Sequence, residues 1–181
     1  MLGFGRSRPR PPALARKRDP IVRTYPSSRD AAGLRFAVVV GRFNHPITSA
    51  LLAGCCEELA ARGAADDAVH VAWVPGAFEI PLATRKLAES GRYDAVITLG
   101  AVIRGGTPHF EYVCQGVTEG VGAVTRDTGV PVAFGVLTTD EIDSALARAG
   151  GSEGNKGAEA ALAAIEMARL VRAVAKPPEA S

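Results

Sequence analysis

AVITLGAVIRGGTPHFEYVCQGVTEGVGAV, residues 95–124, decides the fold. Residues 95–103 are apolar apart from Thr98 and Gly100, the length and composition of a buried strand. Further on, Phe110, Val113, Cys114, Val117, Val121 and Val124 fall at i, i+3, i+4, i+7, i+11 and i+14, one face of an α-helix. Arg104-Gly105-Gly106-Thr107-Pro108 joins the two patterns. Strand, glycine loop and amphipathic helix in that order make a βα unit, and such units build a parallel sheet covered by helices.

The same alternation extends in both directions. Residues 36–40 read as a wholly apolar strand, followed by a helix over 48–62 with Leu51, Leu52, Cys55 and Leu59 on one face, Thr48 or Ser49 as cap and Gly63 as stop. Residues 69–74 are the next strand, and 80–90 a helix entered through Pro75-Gly76 and closed by Gly91. Beyond the central unit, 132–137 is a strand, Thr139 or Asp140 caps a short helix to about residue 149, and Gly150-Gly151 breaks it before a helix over 156–174. Four strands and five helices predict a flavodoxin-like, three-layer α/β/α sandwich whose ligands bind beyond the carboxyl ends of the strands.

The 181 residues are 47% hydrophobic and 22% charged, enough for one core, and no apolar run approaches a bilayer span. No membrane association and a cytoplasmic location are expected. Cys55, Cys56 and Cys114 include no CxxC pair and no neighbouring His, so they suggest packing rather than a disulfide framework or a zinc site. Charge is uneven: Arg6, Arg8, Arg10, Arg16, Lys17, Arg18 and Arg23 against Asp19 give the first 23 residues +6, leaving −4 for the rest of a chain of net +2. A domain that grips nucleic acid keeps its charge on the folded surface, so no nucleic-acid partner is expected. Residues 1–33, Pro- and Arg-rich, are expected to be a disordered extension, 34–175 the folded domain and 176–181 a tail. The extension is acid-poor like a transit peptide, and equally suits a solvated arm or sequence upstream of the true start.

Three strands end in segments unlike tight connections. Gly41-Arg42-Phe43-Asn44-His45-Pro46 puts an aromatic ring and an amide at the first strand's edge, where Phe43 can stack on a planar ligand or seal the core. Pro75-Gly76-Ala77-Phe78-Glu79-Ile80-Pro81 places a carboxylate in a proline-bracketed turn, suited to a polar heterocycle or to favouring the helix dipole. In Ile103-Arg104-Gly105-Gly106-Thr107-Pro108-His109, two glycines let the backbone approach a ligand, and amides at a helix start bind anions such as phosphate. His109 stands where it can exchange protons with a substrate, or where it serves only structure. Arg148 and Lys156 lie beside glycines near helix ends, suited to phosphate or to bland neutralisation of a helix terminus.

Together, Gly41-Arg42-Phe43-Asn44, Val74-Pro75-Gly76-Ala77-Phe78-Glu79-Ile80-Pro81, Gly100-Ala101-Val102-Ile103-Arg104-Gly105, His109-Phe110-Glu111-Tyr112-Val113 and Gly154-Asn155-Lys156-Gly157 closely resemble the lumazine synthases over about residues 33–174. The resemblance implies a transferase that condenses 5-amino-6-(D-ribitylamino)uracil with 3,4-dihydroxy-2-butanone 4-phosphate to 6,7-dimethyl-8-ribityllumazine, phosphate and water, using no metal or organic cofactor. It implies that Phe43 stacks on the pyrimidine, that Ala77, Phe78 and Glu79 hold the pyrimidine and ribityl groups, and that Ala101, Val102 and Ile103 line that pocket. Phe134 would cover it from a neighbouring subunit. Gly106 and Thr107, with Arg148 and Lys156, would bind the butanone phosphate, Arg148 coming from the adjacent subunit, and His109 would shuttle protons.

A homopentamer is further implied. The compact segment 150–157 resembles that of relatives forming a 60-mer icosahedral shell, with riboflavin synthase as an enclosed partner. Ser152 and Ala147 depart from the family pattern, where many relatives carry Lys and an acidic residue. The competing readings are a catalytically silent shell protein and a passive flavin-binding module. Against the first stand the intact Phe43, Glu79, His109 and Arg148.

Overall fold

The computed structural model describes residues 24–175 apart from Pro26; the rest of the expected extension and the expected tail at 176–181 lie outside the described residues. The main sheet is formed by β1 (Phe36–Gly41), β2 (Val69–Val74), β3 (Ala95–Ile103) and β4 (Val132–Thr139), all parallel, in the order β2-β1-β3-β4. Helices α1 (His45–Ala61) and α5 (Lys156–Val174) cover one face, α2 (Ile80–Glu89) and α3 (His109–Thr128) the other. The three-layer sandwich expected from the alternating pattern is the observed fold.

The period of two in β1 explains why its sequence shows no polar face. Phe36, Val38 and Val40 pack under α1 and α5, while Ala37 and Val39 pack under α2 and α3, so every residue of the strand is buried. At an edge, β2 needs less, and His70 and Val71 stay exposed.

Two expected caps fall elsewhere. Helix α1 begins at His45, not at Thr48 or Ser49: Asn44 takes a left-handed conformation (φ 60°) and Pro46 supplies a helical φ in the first turn. Thr48 is buried one turn inside. The short α4 (Ile142–Ala147) starts after Glu141, since Thr139 donates its hydroxyl to Glu141 O (3.0 Å) and Asp140 is taken by Arg104. The expected glycine break after α4 contains structure of its own. β5 (Ala149–Gly151) pairs antiparallel with β6 (Gly154–Asn155), a miniature hairpin allowed by positive φ at Gly150 and Gly154.

Asn155 anchors that hairpin. Its side chain accepts from Gly157 N (2.8 Å) and Ala158 N (3.3 Å), capping α5, and donates to Ala50 O of α1 (2.8 Å). The helices meet closely because Gly157 has no Cβ, which would stand 2.0 Å from Leu51 O, and Gly54 leaves room for the Asn155 amide.

The end of the expected extension is tied down. Ala31 is buried, its amide donates to Arg62 O (2.8 Å), and Arg169 and Arg172 of α5 donate to the carbonyls of Asp30, Ala32 and Gly33. The three cysteines are free, and burial pushes the Cys55 thiol up to about 12. No helix among the described residues is long and apolar enough to cross a membrane.

Candidate active site

The chain leaves β1, β2 and β3 at the same edge of the sheet, and its backbone bonds continue past the strands. Arg42 N donates to Val74 O (2.8 Å) and Phe43 N to Pro75 O (3.1 Å), which draws the first loop against the second. Asn44 donates its amide to Ala101 O (2.9 Å), joining that loop to β3. The amide foreseen beside Phe43 thus builds the site rather than facing it.

The resulting cleft has a volume of about 760 Å³ and is bounded by Phe43, Ala77, Phe78, Glu79, Ala101, Val102, Ile103, Thr107 and His109, together with Tyr112 and Val113 of α3. Tyr112 and Val113 were legible as helix but not as lining, because the pitch of α3 alone does not say which first-turn side chains overhang the strand ends.

Phe43 is 72% exposed, so it does not seal the core. An aromatic face left open to a cleft is available for stacking on a planar ring. Phe78 is also exposed, yet its ring lies against α3 where Gly116 makes space: a Cβ there would stand 2.5 Å from Phe78 Cε2. Glu79 turns its carboxylate over Gly76 and, among the described residues, takes no ion pair. It remains an acceptor for a ligand N–H or hydroxyl.

At the far end of the cleft, Pro108 precedes α3 and no side chain caps its first amides. Gly105 and Gly106 have open space where a Cβ would stand, so packing does not require them to be glycine. The Glu111 amide donates to Pro108 O (3.1 Å), and the amides ahead of it, the helix dipole and the bare backbone together suit an anion. His109 is exposed in the same turn and lines the cleft. Gly106 opens onto an adjoining recess shared with Arg104, Thr107 and Glu111.

Arg104 has no assigned role in the sequence reading, yet it is the most connected side chain here. It pairs with Asp140 (2.7 Å) and Glu111 and lies 4.2 Å from the Phe110 ring centroid. The bond to Arg104 holds the Glu111 carboxyl below the usual carboxylate range. A cation between a strand end and a Gly-Gly pair was the available signal, but its partners lie on two segments.

Besides Gly106 in the adjoining recess, three expected site residues are not brought to this cleft. Phe134, Arg148 and Lys156 line a second one, about 410 Å³, along the open edge of β4. There Phe134 is 43% exposed, Arg148 donates to Ser144 O (2.9 Å) and Lys156 pairs with Glu159 (2.6 Å). A single chain therefore carries two separate constellations, one aromatic and amide-lined, one cationic.

A flavodoxin-like α/β protein with an open aromatic ring and an anion-ready helix start at its strand ends defines a class: an enzyme that holds a flat heterocycle beside a phosphorylated or carboxylated partner. Residues 33–172 match the 6,7-dimethyl-8-ribityllumazine synthase family, and the chain belongs to that family. It is 53% identical over 151 residues to a 6,7-dimethyl-8-ribityllumazine synthase of Clostridium kluyveri, covering 83% of this chain and 98% of the relative.

Proposed function

We propose that each active site is completed by two copies of this chain, one supplying the aromatic cleft and the other the cationic cleft on β4. The chain is a transferase of riboflavin biosynthesis, condensing 5-amino-6-(D-ribitylamino)uracil with 3,4-dihydroxy-2-butanone 4-phosphate to 6,7-dimethyl-8-ribityllumazine, phosphate and water. In this reading Phe43 stacks on the pyrimidine, the turn Ala77, Phe78 and Glu79 holds its polar edge and the ribityl hydroxyls, and Ala101, Val102 and Ile103 form the floor. Gly106 and Thr107 take the butanone phosphate. Arg148 and Lys156 of the adjacent copy complete the anion site, and its Phe134 covers the ring.

The chemistry asks for that division. The substrate amine attacks the ketone carbon and water leaves to give an imine; phosphate is then eliminated, and the second amine attacks the remaining carbonyl, closing the ring with loss of a second water. Departing charge is stabilised by loop amides and a guanidinium already in place. His109, beside the cleft rather than buried, moves the protons. Holding two diffusing reactants at contact distance is the larger contribution.

The observation that carries the reading is the separation of the two clefts on one chain. Within its own protomer Arg148 bonds Ser144 O and lines the β4 cleft rather than the phosphate loop, and a neighbour can present it there. A homopentamer closes this head-to-tail contact into a ring. The compact 150–157 segment, with its tight β5–β6 hairpin, supports further assembly into a 60-mer shell able to enclose riboflavin synthase, in the cytoplasm. Residues 34–175 form the catalytic unit, with the extension and tail outside the reaction.

The test is subunit complementation. His109→Ala and Arg148→Ala proteins are each purified, dissociated together and reassembled, and lumazine absorbance and phosphate release are followed. Mixed rings contain interfaces with both native halves, so activity above either parent is expected. No recovery from well-assembled mixed oligomer would sink the two-copy site. Light scattering then separates a pentamer from a 60-mer.

A further inference from the structure

The loop after β3 and the loop after β4 leave the sheet side by side. Ile103 and Thr139 are register partners at the ends of β3 and β4, and Arg104 N donates to Thr139 O (3.0 Å). One chain then runs through Gly106 and Thr107 to His109, the other through Asp140 into α4 and on to Arg148. The two segments serve opposite sides of the protomer in the two-copy reading, and something must hold them in a common frame.

Arg104 bridges them. Its Nε donates to Asp140 Oδ1 (2.7 Å), a terminal nitrogen binds Glu111 in the first turn of α3, and its guanidinium carbon lies 4.2 Å from the Phe110 centroid. The loop between is loosely packed: Gly105 and Gly106 have no atom within 4 Å of a built Cβ. Among the described residues, no side chain hydrogen-bonds residues 105–108. The planar fork is what allows two carboxylates on different segments to be held at once, which a lysine ammonium matches poorly.

We propose that Arg104 is the positioning residue of the phosphate loop: by binding Asp140 and Glu111 together across the Phe110 ring, it sets Gly106, Thr107 and His109 against the segment that leads to Arg148. This rests on the reading of the loop as the phosphate site. Exposed ion pairs add little to global stability, so the clamp acts on geometry more than on unfolding. A displaced loop costs the reactant it should hold and spares the pyrimidine cleft.

The experiment compares Arg104→Met, which keeps an unbranched stem and loses the fork, with Arg104→Lys, Glu111→Gln and Asp140→Asn in steady-state kinetics on the assembled enzyme, with Tm recorded. Arg104→Met is expected to raise KM for the sugar phosphate about tenfold and leave KM for the pyrimidine within about twofold, with Arg104→Lys rescuing part of the loss. Arg104→Met combined with Asp140→Asn should be no worse than Arg104→Met alone. Equal changes in both KM values, or a lowered Tm with unchanged kinetics, would overturn the proposal. If Arg104→Met fails to assemble, the Glu111→Gln and Asp140→Asn pair decides, since either should reproduce the same one-sided KM change. Arg148→Ala runs alongside: if it also leaves the sugar-phosphate KM unchanged, the phosphate-site reading fails, whereas a large effect there with none from Arg104→Met removes only the clamp.

Discussion

The aromatic cleft and the cationic cleft differ in how far each is finished. In the first, three strand ends converge, backbone bonds lace the loops together, Phe43 stays exposed, and no side chain caps α3. In the second, the charged groups are already occupied by their own chain, Arg148 on Ser144 O and Lys156 on Glu159. A preorganised apolar cleft binds a flat ring by itself. A cation resting on its own helix has to be drawn away by a stronger anion, which in the proposed two-copy site is the phosphate held by the first cleft.

That contrast can be broken by substitution. The largest effect is expected from Arg148→Ala, which should raise the sugar-phosphate KM by about a hundredfold, the worth of a charge-assisted bond to an anion, with little change in the pyrimidine KM. Parallel increases in both would erase the distinction. His109→Ala should lower kcat by about tenfold to a hundredfold, because the substrates keep some intrinsic reactivity. A rate equal to that of the native enzyme takes His109 out of the proton transfers.

Phe43→Ala tests the aromatic cleft from its own side. The pyrimidine KM should rise by about tenfold from lost stacking while the sugar-phosphate KM holds, and the reverse split would reassign the cleft. The smallest effect sharpens the comparison instead. Asn155→Ala removes the cap of α5 and the bond to α1, so urea unfolding should show a loss of about 1 kcal/mol, and any change in KM should fall on the sugar phosphate. A pyrimidine effect would mean that the clefts communicate through the sheet.

Residues 95–124 show why so much was legible. Strand and helix periods are local, and a buried parallel strand has no polar face to confuse the reading. Asn155 shows the limit: within Gly154-Asn155-Lys156-Gly157 the charged Lys156 drew attention as a phosphate ligand. The structure gives Asn155 and Gly157 the packing role, since the cap is recognised only once α1 lies beside α5. The displaced start of α1 has a similar cause, because the left-handed Asn44 is fixed by its bond to β3, distant in sequence.

By itself, then, the sequence determined the element order, the parallel sheet, the family and the residue types at the strand ends, all of which follow from short-range periodicity and contiguous motifs. Only the tertiary structure decided that Lys156 lies with Phe134 and Arg148, which the family resemblance had already assigned to a neighbouring subunit, that Arg104 spans two loops, and that residues 149–155 form a hairpin. The first two are distances between segments far apart in the chain, set by strand order and helix packing, and the short hairpin is held by the bond of Asn155 to Ala50 of α1, so no local pattern encodes them.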